Sequence, residues 1–424
     1  MQLSETSPSA HADEPAEPRV REPAAGLPAT QALFDSYVED GRAPGIVAAI
    51  GRAGQPTQFV SAGRGAYAPE AAPVGPDTLW RIYSMTKPVT GMATMLLVEQ
   101  GKIGLDQPLF EIFPEFRTLR VAVDPEASLE SRPAARPITI RHLLTHTAGL
   151  GYDFHLPDAI GREYRRLGVL PYAFDPASDA QARKARPTSL EAFAARVAEA
   201  PLMTDPGTEW RYAPGLDVLG AVIERVSGVG FEDFLRAHFF APLGMTSTWF
   251  TAPRSEAARL VDNYRFVENA PVVADSAAES LFFEPPSFPY GGGGLVSSAR
   301  DYDRFLQMLQ NGGKLDGVRV MRRETAELAL SDLLPEGVVF AGVGGETGGT
   351  TAAVPMGFGA GGSLVFAPGD RRRGTYGWGG AAGTIASLDL AKDLRLTLMV
   401  NYMPPTQWPL RDDLYAALAR DLAA

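Results

Sequence analysis

Four short apolar runs crowd the C-terminal part of the chain: SLVFAP (363–368), GTYGWGG (374–380), GTIASLDL (383–390) and LRLTLMVNY (394–402). Only brief turns separate them, so they must pair antiparallel; a parallel neighbour needs a crossover of about a dozen residues or more. Two more runs of the same kind lie at the other end of the chain. GIVAAI (45–50) and TQFVSAG (57–63), joined by a Gly-containing turn, read as a hairpin. Between the two groups the apolar period is helical. The simplest fold is therefore α+β, with one antiparallel sheet built from both ends of the chain, helices on its faces, and a second, mainly helical domain inserted.

The boundaries that follow are a flexible arm over 1–30, an α/β domain over 31–120 plus 286–424, and an inserted, mainly helical domain over 121–285. The arm is rich in Pro, Ala, Ser and Glu and poor in large apolar residues, with folded sequence from about Gln31. Val89, Met92, Leu96 and Ile103 space an amphipathic helix that ends near Gly101 or Gly104. Pro88 loses no hydrogen bond only in a first turn, so that helix starts at or just before Ser84. Ser298 and Asp301 have capping-box spacing ahead of Tyr302, Phe305, Leu306 and Leu309, and Leu410, Leu414, Leu418 and Leu422 mark a closing helix.

The 424 residues include 39 Lys+Arg against 50 Asp+Glu, a formal charge of -11 that repels phosphate backbones and argues against a nucleic-acid partner. There is no cysteine, so disulfides, thiolate metal sites and a Cys nucleophile are excluded together. No run approaches the roughly 18 apolar residues of a membrane span, and the N-terminus lacks the charged-then-apolar order of a secretory signal. A cytoplasmic protein is expected, or a periplasmic one if a signal has been removed.

The chemistry centres on YSMTKP (83–88). On a helix, Ser84 and Lys87 at i and i+3 share one face. A serine hydroxyl needs a base, lysine can serve when buried, and the N–H groups of a helix start suit a developing oxyanion. Ser-x-x-Lys also recurs by chance in long chains, where a capping serine followed by a solvated lysine is the commoner explanation. The discrimination comes from three further segments: PGTEWRYAPGLDVLGAVIE (206–224), GGGGLVSSARDYDRF (291–305) and YGWGGAAGT (376–384).

Together these make the chain resemble the serine β-lactamase and penicillin-binding-protein superfamily, specifically its esterase branch, the family VIII carboxylesterases. The likeness runs from about Ala32 to the C-terminus, and LLTHTAGL (143–150) and FFAPLGMTST (239–248) belong to it. The resemblance implies Ser84 as the acylated nucleophile, Lys87 as a partner in its activation, and Tyr212 as a second base in the place of the Tyr-x-Asn tyrosine. A phenol is a weak base at neutral pH unless a neighbouring cation favours the phenolate, which Lys87 would do. The resemblance also implies an oxyanion hole from the backbone N–H groups of Ser84 and Ala381. Trp378-Gly379-Gly380 replaces the lactamases' Lys-Thr-Gly as a substrate-binding strand, and no metal or cofactor is implied.

Two departures favour a small-molecule ester over a β-lactam. Pro214 stands at the asparagine of Tyr-x-Asn, and Trp378 at the lysine of Lys-Thr-Gly. A charged hydrogen bond contributes about 1.5 to 3 kcal/mol, so losing the contacts to a β-lactam carboxylate weakens recognition roughly ten- to hundredfold. A β-lactamase or D-Ala-D-Ala peptidase, an acyltransferase, and a penicillin-recognising sensor that acylates without turnover remain alternatives.

Other signals are weaker. No Gly-x-Ser-x-Gly elbow occurs. His142 and His146 lack the glutamate of a zinc-protease motif and read as structural, with His155 nearer the site. GFGAGG (357–362) matches a dinucleotide fingerprint but precedes a strand, so its phosphate geometry fails. Asp370 and Arg371–Arg373 read as a solvated turn. The aromatic-rich segment from Tyr152 to Pro187 is expected to cover the acyl or alcohol pocket, with Tyr152, Phe154 or Tyr172 in its lining.

Overall fold

The computed structural model of the chain describes residues 26–152, 156–170, 173–340, 342, 356–367 and 370–423. Phe154, His155 and Tyr172 lie outside them, as does most of the N-terminal arm.

Among the described residues, seven strands form the main sheet: β1 (Gly45–Arg52), β2 (Gln58–Gly63), β3 (Met356–Phe358), β4 (Ser363–Ala367), β5 (Asp370–Gly379), β6 (Ile385–Asp389) and β7 (Leu394–Met399). Their order is β3-β4-β5-β6-β7-β1-β2, with antiparallel pairing throughout. The N-terminal hairpin thus joins the C-terminal meander at β1–β7, where Val47 sits opposite Met399. Both faces of β1 are buried, which is why GIVAAI shows no alternation. Ile46, Ala48 and Ile50 pack with Phe34, Tyr37, Leu410, Leu414 and Leu418, while Val47 and Ala49 join the larger core that contains Val89 and Met92.

The helices that matter here are α1 (Pro28–Glu39), α2 (Thr86–Glu99), α3 (Gly215–Ser227), α4 (Ala299–Gln310) and α5 (Leu410–Ala423). α1 begins three residues before the composition change implies. Its free N–H groups find a distant cap, because Asp421 on α5 accepts from the Ala29 amide at 2.7 Å and the Thr30 amide at 2.9 Å. Residues 121–285 hold helices that include Asp158–Leu167, Leu190–Glu199 and α3, and also two short strand pairs. No helix among the described residues is long and apolar enough to cross a membrane.

Three local readings change. Asp370 and Arg371–Arg373 lie in β5 rather than a turn; a register shift sets Phe366 opposite Gly374 but Ala367 opposite Asp370, so the added residues enter the strand as a bulge. α2 is not amphipathic, since every residue from Thr86 to Leu97 is buried. Ser298 caps α4 by accepting from the Asp301 amide at 3.1 Å, but the Asp301 carboxylate turns away to the Ser247 amide (2.7 Å) and the Thr248 hydroxyl (2.9 Å).

One buried ion pair ties α4 to the sheet. Arg395 on β7 is fully buried and donates through Nε to Asp303 on α4 at 2.7 Å, with Thr57 and Gln310 accepting from its other nitrogens at 2.7 and 2.8 Å. Removing one partner of such a pair strands a charge in the core. Asp303→Ala is therefore expected to cost about 3 to 5 kcal/mol in a denaturant titration; a loss under about 1 kcal/mol would mean the guanidinium is satisfied without it.

Candidate active site

Ser84 sits in a 3₁₀ turn, Tyr83–Met85, that runs straight into α2, with Pro88 in the helix's first turn. The turn starts from a strained backbone: Tyr83 has φ +41°, a region uncommon outside glycine. Its ring meets those of Phe174 and Phe282, and its hydroxyl accepts from Asn263 Nδ2 at 3.0 Å. This arrangement leaves Ser84 half-buried at the junction of strand, turn and helix.

Lys87, one turn on, is fully buried. Its Nζ donates to Ser84 Oγ at 3.1 Å and to Gly292 O at 2.6 Å. The Gly292 amide in turn donates to buried Asp217 on α3 at 3.0 Å. Segment 291–295 is bound along α2 at two further places, since Thr90 donates to Gly291 O (2.6 Å) and the Leu295 amide to Thr86 Oγ1 (3.2 Å). From the other side comes the sequence that mimicked a dinucleotide fingerprint. Gly361 has φ +75°, and a Cβ there would lie 2.4 Å from Lys87 O, so its glycine admits the helix that carries the lysine.

Tyr212 arrives from the irregular segment just before α3, whose N-cap is Pro214. The Tyr212 and Ser84 hydroxyls share a hydrogen bond of 2.6 Å. The Lys87 ammonium group lies 4.5 Å from the centre of the Tyr212 ring, in cation–π range. Trp378, half-buried on β5, donates from Nε1 to Tyr212 Oη at 3.2 Å. A chain of contacts therefore runs Asp217, Gly292, Lys87, Ser84, Tyr212, Trp378.

Beyond Trp378, Gly379 is exposed and Gly380 makes a close approach: a Cβ there would come 2.5 Å from Ile82 O, two residues before Ser84. The Gly380 amide donates to Thr384 O at 2.8 Å, closing a tight turn that contains Ala381. Tyr152 is buried beside Tyr212, its ring 4.9 Å from the tyrosine's, its amide donating to Tyr212 O at 3.1 Å, and Lys87 Nζ 5.5 Å from its ring centre. The segment that carries it does reach a cleft, where Asp179 and Arg183 stand with Tyr83, Phe282, Tyr290 and Gly293.

His146, read from LLTHTAGL as structural, packs against Tyr212. It is 1% exposed, with φ +56°, and its ring meets those of Tyr212, Trp210 and Phe358. Burial, reinforced by the Lys87 charge, holds its pKa well below the ordinary imidazole value. His142 is also held down, to about 4, chiefly by burial; it closes a capping box with Thr139. Trp210, Phe340 and Phe358 complete an aromatic wall that sequence spacing did not reveal, because they come from three separate segments. Among the described residues no cluster of His, Asp or Glu could hold a metal ion.

An antiparallel sheet flanked by helices, with a Ser-x-x-Lys turn facing a tyrosine from a separate segment, defines the serine β-lactamase-like fold. The chain belongs to the β-lactamase family, whose model matches residues 30–421. It is 33% identical over 411 residues to "Esterase EstB" of Burkholderia gladioli, covering 91% of this chain and 94% of that protein. It is 34% identical over 343 residues to "Protein Rv1367c" of Mycobacterium tuberculosis (strain ATCC 25618 / H37Rv), covering 78% and 79%. Among solved structures, "EstCE1, a hydrolase with promiscuous acyltransferase activity" superposes with a TM-score of 0.73 at 25% identity, covering 92% of this chain and 97% of that one.

Proposed function

We propose that the protein is a serine carboxylesterase of the family VIII type that cleaves short-chain esters through an acyl-enzyme on Ser84. The observation that carries this reading is the Ser84 hydroxyl set between Lys87 Nζ (3.1 Å) and Tyr212 Oη (2.6 Å), with a tryptophan where lactamases place a lysine. The likeness to an esterase over nine-tenths of the chain supports it.

In this mechanism Tyr212, as phenolate, takes the Ser84 proton while Oγ attacks the ester carbonyl carbon. The amides of Ser84 and Ala381 stabilise the tetrahedral oxyanion. Collapse breaks the ester C–O bond, and the alcohol leaves with the proton from Tyr212. Water then repeats the sequence on the acyl-enzyme, releasing the acid and restoring Ser84. The Lys87 ammonium orients Oγ through its hydrogen bond to Ser84.

Steady-state release of p-nitrophenol from p-nitrophenyl butyrate tests the reading, with a penicillin measured alongside. Many turnovers of the ester and slow or no turnover of the penicillin support it. A single stoichiometric burst with either substrate would instead mark a sensor. Adding a competing alcohol and seeking the exchanged ester tests acyl transfer, a reading the EstCE1 likeness favours.

Trp378 takes part through its indole N–H, which stabilises negative charge on Tyr212 Oη. Trp378→Phe keeps the aromatic wall but removes that donor. A hydrogen bond to a charged group contributes about 1.5 to 3 kcal/mol, so kcat is expected to fall roughly ten- to hundredfold with KM little changed. Unchanged kcat would remove Trp378 from the mechanism.

A further inference from the structure

We propose that His146 is a positioning residue that holds Tyr212 at its working distance from Ser84, by accepting the Ala213 amide at Nδ1 and the Arg211 amide at its carbonyl oxygen. This rests on the reading of Tyr212 as the base.

Tyr212 belongs to no helix or strand, so no ladder of backbone hydrogen bonds fixes it. Instead the amides on either side of it both converge on one residue. Arg211 N–H donates to His146 O at 2.8 Å, and Ala213 N–H to His146 Nδ1 at 3.3 Å. With the Tyr152 amide on Tyr212 O, the peptide groups flanking the tyrosine are held from two directions. The imidazole also packs against the Tyr212 ring, centroids 5.0 Å apart at 68°, which restrains the ring's rotation.

The side chain suits this role only while neutral, because a protonated Nδ1 cannot accept. The surroundings enforce that state. Nε2 meets no oxygen or nitrogen partner among the described residues, and the rings of Trp210, Tyr212 and Phe358 lie around the imidazole. A second proton would place an unpaired charge there, close to the Lys87 ammonium. The left-handed backbone of His146 fits the same purpose, since it turns carbonyl and ring toward one short segment.

The test uses the full chain and p-nitrophenyl butyrate. His146→Asn supplies a side-chain acceptor at a residue type that tolerates positive φ; His146→Gly tolerates the backbone and keeps the carbonyl but offers no side-chain acceptor. Since misplacement by about 1 Å costs on the order of a hundredfold, His146→Gly is expected to lower kcat about 30- to 100-fold with KM within about threefold, and His146→Asn to recover most of the rate. In a Tyr212→Phe background, His146→Gly should cost less than about threefold, because the hydroxyl it positions is gone. If the glycine variant does not fold, His146→Ala gives the same comparison.

Equal rates for the Asn and Gly variants, or an equal penalty in the Tyr212→Phe background, would overturn the proposal. An inactive Tyr212→Phe beside a normal His146→Gly sinks the His146 role alone. A near-normal Tyr212→Phe removes the base itself and the proposal with it.

Discussion

Ser84→Ala is expected to lower p-nitrophenyl butyrate turnover by roughly 10⁴- to 10⁶-fold, the range in which loss of a nucleophile leaves only oxyanion stabilisation and substrate binding. The substitution deletes one oxygen from a half-buried side chain at the head of α2. That oxygen accepts from Lys87 and shares a hydrogen bond with Tyr212, both of which keep other partners: Lys87 on Gly292 O and Tyr212 on Trp378 Nε1. The fold should therefore survive with its melting temperature nearly unchanged. The amides of residue 84 and Ala381 are backbone groups and remain. Intact-protein mass measured after rapid mixing with substrate should show an acyl adduct on the parent chain and none on the variant. An adduct that persists on the alanine variant, or a rate within about tenfold of the parent, would place the nucleophile elsewhere.

The sheet was legible because its strands carry their own punctuation. Short apolar runs with tight turns can pair only antiparallel, and the GIVAAI hairpin had no other sheet to join. The contact between Ser84 and Lys87 is legible because a spacing of three on a helix fixes a face, and Pro88 marks the first turn. Tyr212 needed the resemblance, since nothing in spacing alone brings residue 212 to residue 84. The helix cap from Asp421 to Ala29 and Thr30 stayed hidden for the same reason, being a contact across nearly the whole chain. Tyr152 shows the opposite limit. That an aromatic in a long connection packs against Tyr212 depends on contacts that composition does not encode. The Arg371–Arg373 run misled because a charged cluster between apolar runs reads as a turn, whereas the backbone there continues β5 through a register shift.

Tyr212→Phe is expected to lower kcat by roughly 10²- to 10⁴-fold, the span that general-base catalysis contributes. Of the site's residues it permits the cleanest change, because only the hydroxyl is lost. The ring keeps its contacts with His146, Tyr152 and Trp378, and its peptide keeps the Tyr152 amide. What disappears is the one oxygen within hydrogen-bond reach of Ser84 that also receives the Trp378 N–H. Lys87 still touches Ser84, so the variant separates the two candidate bases: if lysine alone deprotonates the serine, the rate stays near normal, and if tyrosine does, it collapses. Acylation and deacylation should fall together, because the same hydroxyl serves the attacking serine and then the attacking water. Single-turnover measurements can read both steps. A variant that acylates at the parent rate but accumulates acyl-enzyme would restrict Tyr212 to the water step and leave Lys87 to activate Ser84.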